Sequence, residues 1–248
     1  MERRVLVADR TRGCVRGDSN GKIYLMGGYN TASPAGIASV DVYDPTTNMW
    51  SSVSPMLTAR YFAAATAVGD EVYVIGGTQN DGISSPLAVV ESYNTTANLW
   101  TQRAALPEGR SSLAAVSANG GIYVSGGHTS PSATAIDAAV LAFDPATNTW
   151  NAFNGFNRTI FTRADHALLS VPGGLLALGG NSTSVFPNGP TAAVESTLLP
   201  TLASPTNWKL KAPMPEPSAG LAAALTGGKV YVVTPTRVLS YSLLLDPL

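Results

Sequence analysis

Glu71-Val72-Tyr73-Val74-Ile75-Gly76-Gly77, with Tyr93 and Trp100 downstream, is a β-branched run that ends in a double glycine and is followed by two spaced aromatics. The same run recurs as Gly21-Lys22-Ile23-Tyr24-Leu25-Met26-Gly27-Gly28 with Tyr43 and Trp50. It recurs again as Gly121-Ile122-Tyr123-Val124-Ser125-Gly126-Gly127 with Phe143 and Trp150. The step is about fifty residues, a period that marks repeated supersecondary units. One such unit cannot bury its apolar faces alone, so the copies must pack on one another.

The fourth copy, 175–180, keeps its strand and Gly179-Gly180, and Trp208 arrives late because the loops are longer. The fifth, 221–225 and 229–233, ends at Thr234-Pro235 where the others have Gly-Gly, and 237–245 is expected to add a third strand. The double glycine with its spaced Tyr and Trp resembles the kelch repeat. That resemblance implies an all-β propeller with one four-stranded blade per repeat.

Repeats are placed at about 10–56, 58–107, 109–155, 162–214 and 218–248, which makes 1–248 a single propeller domain. An open ring would leave unpaired strand edges. The β-branched stretch 3–8, around Arg4-Val5-Leu6-Val7, is therefore expected to complete the last blade and close a ring of five, fewer blades than the family usually has. Residues 12–17 then form a weak innermost strand in the first blade, and no further domain is expected on either side of the ring.

Composition narrows the function classes. Formal net charge is −1 and charged residues make up 12% of 248, against roughly 25% in ordinary soluble domains. No basic footprint for nucleic acid is present, and no apolar run reaches the ~20 residues of a membrane span. The N-terminal apolar stretch is too short for a secretion leader, so the compartment stays open between cytoplasmic and secreted with a leader absent. Cys14 is the single cysteine and decides nothing about redox environment. Sequons at Asn94, Asn157 and Asn181 match chance frequency, and their use stays open.

Residues that recur with the repeat are read as architecture. Gly27, Gly28, Gly76, Gly77, Gly126, Gly127, Gly179 and Gly180 permit close backbone approach rather than cradle phosphate. Tyr43, Tyr93, Phe143, Trp50, Trp100, Trp150 and Trp208 are expected to pack in the seams between sheets, with polar atoms on backbone partners. Asp44 and Asp144, each followed by Pro, cap turns between the third and fourth strands. Small residues such as Ala63-Ala64-Ala65 and Leu113-Ala114-Ala115 suit innermost strands crowded at the axis.

Function is sought where the repeats differ. Arg60, Arg110 and Arg163 begin successive innermost strands and are expected to form a basic crown around the axis, offering planar forks to carboxylates. The alternative is that each pairs with an acidic or carbonyl group nearby. The variable loops 29–39, 78–87, 128–137 and 181–193 share that face and offer Tyr29, Gln79, His128 and Phe186 as contacts. Asp165 is a further candidate contact. His166 is assigned to blade joining, as the kelch resemblance implies.

Catalytic readings lack a constellation. His128 and His166, the only histidines, are placed in equivalent regions of adjacent blades, with no thiol cluster to complete a metal site. Glu91 and Glu195 could serve a glycosidase only as a pair across a funnel, and are read as solvated. No metal and no cofactor are assigned. The chain is expected to be a non-catalytic scaffold that binds a protein or peptide, with an acidic partner suited to the crown. The alternatives are a self-associating structural or extracellular assembly subunit, and a carbohydrate-active or lyase enzyme of propeller form.

Overall fold

The computed structural model describes residues 14–15, 21–30, 33–79, 85–132, 134–152, 158–184, 188–199 and 208–242. Within them the chain is all-β, with five sheets in a five-bladed propeller arrangement. Four sheets have four antiparallel strands each. The first holds Cys14–Val15, Ile23–Met26, Val40–Asp44 and Met49–Val53. The second holds Ala64–Val68, Glu71–Ile75, Val90–Asn94 and Leu99–Gln102. The third holds Ala114–Ala118, Gly121–Ser125, Val140–Asp144 and Thr149–Ala152, and the fourth Ala167–Val171, Gly174–Leu178, Val194–Leu198 and Lys209–Lys211. The fifth has three described strands, Ala222–Thr226, Lys229–Val233 and Val238–Ser242. The N-terminal strand expected at 3–8 lies outside the described residues.

Innermost strands lie side by side around the axis: Cys14–Val15 beside Ala64–Val68, then Ala114–Ala118, Ala167–Val171 and Ala222–Thr226 in turn. The alanines that open the second, third and fifth of these strands, Ala64-Ala65, Ala114-Ala115 and Ala222-Ala223, allow that approach. The apolar core is divided among the seams. Tyr24, Met26, Val40 and Val42 of blade one pack on Val72, Val74 and Tyr93 of blade two. Ile75 and Val90 meet Ile122 and Phe143 in the next seam. Leu176, Leu178 and Val194 meet Val230 and Val232 in the last.

Two smaller ladders sit in loops expected to be irregular. Tyr29–Asn30 pairs with Ser33–Gly36, and Asn181–Ser182 pairs with Gly189–Pro190.

The double glycines form the joint between blades. The amide of the second glycine donates to the arm that enters the next blade: Gly28 to Arg60 O at 3.0 Å, Gly77 to Arg110 O and Gly127 to Arg163 O at 2.7 Å, and Gly180 to Ser218 O at 2.8 Å. At Gly76 and Gly126 φ is positive, and an added Cβ would overlap the carbonyl oxygens of Arg110 and Arg163. Blade five carries Thr234-Pro235 at this position. Proline has no N–H to donate, so blade five cannot make this joint.

The tryptophans make a second joint at the outer rim. Trp100 Nε1 donates to Ser54 O of the preceding blade, and Trp150 Nε1 to Ala104 O, both at 2.8 Å. The same backbone units give their amides to asparagine: Ser54 N to Asn98 Oδ1 at 3.0 Å and Ala104 N to Asn148 Oδ1 at 2.9 Å. Asn98 and Asn148 adopt φ of 56° and 55° to reach them, a conformation Asn tolerates. Trp208, just before Lys209–Lys211, is buried among Leu168, Leu175 and Ala177. In the rim turns, Asp44 Oδ1 accepts from Thr46 N at 2.8 Å and Asp144 Oδ1 from Ala146 N at 2.9 Å.

Candidate functional site

The loops that leave the double glycines gather at one end of the propeller, each closed at its base by the same bond. Ile37 N donates to Gly28 O and Leu87 N to Gly77 O at 2.8 Å, and Asp137 N to Gly127 O and Thr191 N to Gly180 O at 2.9 Å. The bases are uniform and the loops above them differ in sequence.

The expected basic crown is not accessible. Arg60 is 1% exposed and Arg163 0%, and Arg110 is also buried. Each guanidinium ties its own blade together. Arg60 Nη1 donates to Gly76 O at 3.2 Å and Val89 O at 2.9 Å, while Nη2 stands 2.6 Å from Glu91. Arg110 bonds Gly126 O at 2.9 Å and Asp137 at 2.6 Å. Arg163 bonds Gly179 O and Ala193 O, and meets Glu195 at 2.5 Å. The reason is desolvation: a buried guanidinium needs a carboxylate and several acceptors, and the first glycine of each pair together with residues in or just before strand three supply them. Burial lowers the Arg60 and Arg163 pKa values, and the facing glutamates oppose that shift.

Glu91 and Glu195, read from sequence as solvated, are therefore buried ion-pair partners. Glu195 also accepts from the amides of Ile160 at 2.5 Å and Phe161 at 3.2 Å. They are committed within their own blades, which removes them as a glycosidase pair. Asp137 bridges Arg110 and the exposed Arg158, at 2.6 and 2.7 Å. Burial works to raise its pKa, but the Arg110 hydrogen bond and charge, with the amides of Ala138 and Ala139, hold it below the ordinary value.

The two histidines are not equivalent. His128 exchanges backbone hydrogen bonds with Ser111, the place Thr78 takes with Tyr61 and Asn181 with Ala164. His166 belongs to the arm of blade four, where its Nε2 lies 2.7 Å from Ser125 Oγ of blade three. Burial, then the Arg163 charge, lowers its pKa to about 3. Tyr29 is half-buried and packs on Tyr61 with ring centroids 5.1 Å apart and planes inclined by 50°. Gln79 is exposed, and its carbonyl accepts from Gly36 N at 2.7 Å, linking two loops. Asp165 is half-buried and accepts from Asn181 Nδ2 at 3.2 Å. Phe186 and Asn157 lie outside the described residues. Asn94 and Asn181 both have their side-chain amides engaged, Asn94 with Glu71 Oε1 at 3.0 Å.

Among the described residues, no group of three or more His, Cys, Asp or Glu side chains is placed to hold a metal ion. Among the same residues, no helix is long and apolar enough to cross a membrane.

Comparison with known proteins places this architecture. Kelch-like protein 6 of Homo sapiens is 40% identical over 60 residues, 24% of this chain and 9% of that protein. Kelch-like protein 23 of Homo sapiens is 38% identical over 55 residues, 22% of this chain and 10% of that protein. The F-box/kelch-repeat protein At1g22040 of Arabidopsis thaliana is 34% identical over 65 residues, 26% of this chain and 13% of that protein. The matches thus span a small part of each relative. The solved structure of YjhT shares the fold with a TM-score of 0.70 at 18% identity, covering 90% of this chain and 71% of that one. A family model described as the KLHDC2/KLHL20/DRC7 Kelch-repeats domain matches residues 13–234. With double glycines, rim tryptophans and blade seams all in the repeated register, the chain belongs to this Kelch-repeat family.

Proposed function

We propose that this chain is a non-catalytic scaffold that binds another protein or a peptide through the loop face around the propeller axis. Kelch-repeat domains generally act as protein-interaction scaffolds. The observation that carries the reading is the contrast at the loop bases: identical backbone closures at Gly28, Gly77, Gly127 and Gly180 support loops that share no sequence. Variable loops on a rigid base are the usual seat of recognition. The buried arginines support the base of that face rather than a contact with an acidic partner.

The test is a loop exchange. Peptides selected on the native chain from a random linear library are offered to a variant whose residues 128–136 are replaced by residues 78–86, so that Asp137 stays on Arg110. Unchanged melting with lost capture supports this face, and full capture by the variant overturns it.

We also propose that the ring closes through residues 3–8 pairing with Val238–Ser242 to complete blade five. Both tryptophan clasps span 46 residues, and the same step back from Trp50 reaches Arg4. Trp50 is 46% exposed and makes no such clasp among the described residues. A chain lacking residues 1–8 should melt lower, and an unchanged melt would sink the closure.

Self-association competes with ring closure for one surface. On blade five Tyr231, Val233 and Val238 are exposed while Val230 and Val232 are buried against blade four, so the exposed face is the one that blade one covers in a closed ring and a second copy covers otherwise. Light scattering that stays monomeric at high concentration rules this second reading out.

A further inference from the structure

The arm that enters a blade repeats as a five-residue unit, and a further copy of it stands near the N-terminus. Met56-Leu57-Thr58-Ala59-Arg60, Leu106-Pro107-Glu108-Gly109-Arg110 and Thr159-Ile160-Phe161-Thr162-Arg163 each run from a buried residue to a buried arginine. Leu6-Val7-Ala8-Asp9-Arg10 has matching ends at the same spacing. The amide that opens each of the three arms donates to the carbonyl two residues ahead of the preceding blade's third strand: Met56 to Ala38 at 2.9 Å, Leu106 to Ala88 at 2.8 Å and Thr159 to Ala138 at 2.9 Å.

Three positions suit this fourth arm, and none has its occupant among the described residues. On blade five the corresponding carbonyl is that of Thr236, two residues ahead of Val238, and no amide among those residues reaches it. On blade one, Asp41 is the second residue of the third strand, the place that Glu91 and Glu195 hold in blades two and four. Those glutamates are buried against Arg60 and Arg163. Asp41 is half-buried, accepts from Ser52 Oγ at 2.7 Å and meets no cation among the described residues. At the rim, Tyr43 donates to Asn48 Oδ1 at 2.8 Å, as Tyr93 does to Asn98 Oδ1 at 2.9 Å, and Asn48 has φ of 55°. Trp50 lies 5.2 Å from Tyr43 between ring centroids, the separation of Trp100 from Tyr93. The clasp of blade one is thus shaped like the filled one of blade two.

We propose that these positions form one docking surface for residues 4–10 of this chain. Arg4 enters the rim clasp through its backbone, the Leu6 amide meets Thr236 O, and Arg10 pairs with Asp41. This rests on ring closure by the N-terminal segment and narrows it: Arg3 pairs with Val238, and the residues after it cross to blade one. The spacing agrees, since Arg4 precedes Leu6 by two residues, as Ser54 precedes Met56 and Ala104 precedes Leu106. An apolar seam awaits the Leu6 side chain. Tyr231 and Val233 are exposed on blade five, and Ile23 and Leu25 of blade one are half-buried where Val72 and Val74 of blade two are buried. Arg10 brings the charge that complements Asp41, and a buried guanidinium needs such a carboxylate. Blade five lacks the glycine joint, so this arm is the link that takes its place.

Proline scanning of the full chain tests the surface. Proline has no N–H to donate, and Pro55 and Pro213 stand directly before Met56 and Met214, so the matching position of Val5 accepts it. Val5→Pro should leave the melt unchanged and Leu6→Pro should lower it. Asp41→Asn should lower the melt of the native chain yet add no loss to Arg10→Met. The Trp50 indole N–H should exchange with solvent as slowly as those of Trp100 and Trp150. A melt lowered by Val5→Pro or unmoved by Leu6→Pro, additive losses from Arg10→Met and Asp41→Asn, or fast exchange at Trp50 overturns the docking surface. Closure still stands after such a result if deletion of residues 1–8 lowers the melt; a melt unmoved by that deletion removes closure and surface together.

Discussion

Arg163 and Glu195 are joined at 2.5 Å with neither side chain exposed to solvent, inside a single blade rather than across an interface. Removing one partner strands the other as an uncompensated buried charge. Arg163→Ala should therefore cost about 3–5 kcal/mol, and Arg60→Ala nearly as much. Arg110→Ala should cost less, because Asp137 keeps some solvent contact and a second cation in Arg158. Thermal melts of the three variants check the order; three unchanged melts would restore the accessible crown.

Trp100→Ala removes a half-buried ring and the clasp on Ser54, and should cost roughly 3 kcal/mol, the lower end for a large aromatic. Trp50→Ala removes a more exposed ring. If residues 1–8 stay unpaired, its cost should be about 1 kcal/mol or less. Equal losses at the two positions would show that Trp50 is clasped as Trp100 is, in support of ring closure.

Gly126 and Gly120 separate steric approach from backbone strain. Both have positive φ, at 64° and 79°, but only Gly126 is crossed by a neighbouring carbonyl, whereas nothing lies within 4 Å of a Cβ on Gly120. Gly120→Ala should cost about 1 kcal/mol from strain alone. Gly126→Ala must also push the arm of blade four away, and should lower the melt far more. Similar losses in the two variants would remove the joint from the account of the double glycine.

Acid should weaken the fold through His166. In the unfolded chain it takes a proton near pH 6.5, and in the folded chain only near pH 3. The unfolded state therefore binds more protons between those limits, so stability falls as pH drops through that window. At ~1.4 kcal/mol per pH unit the full loss approaches ~5 kcal/mol. Asp137, held below its ordinary value, adds a loss in the same direction at lower pH. His166→Gln should flatten the melt between pH 6.5 and 4; an unaltered slope would remove His166 as its source.

Local pattern made the strands, turns and joints legible. The β-branched run in 71–75 and the Asp-Pro turns carry their own instructions, and the glycine pairs mark a place where a neighbour must pass. The arginines were not legible in the same way, because their fate depends on a carboxylate in or just before the third strand, across a loop of variable length. The available signal was the setting of those carboxylates: Val90-Glu91-Ser92-Tyr93 and Val194-Glu195-Ser196-Thr197 embed a charge in strands that are otherwise buried.

The glycine joint has a consequence for how such a chain can change over generations. Each joint is specified half by one repeat and half by the next, since the amide of Gly77 and the carbonyl of Arg110 belong to neighbours. A tandem duplication of one full period therefore inherits matching halves wherever its breakpoints fall. A repeat can change the residue on the carbonyl half without losing the joint, as Ser218 does where the other blades carry arginine, so drift should accumulate on that half while the glycine half persists.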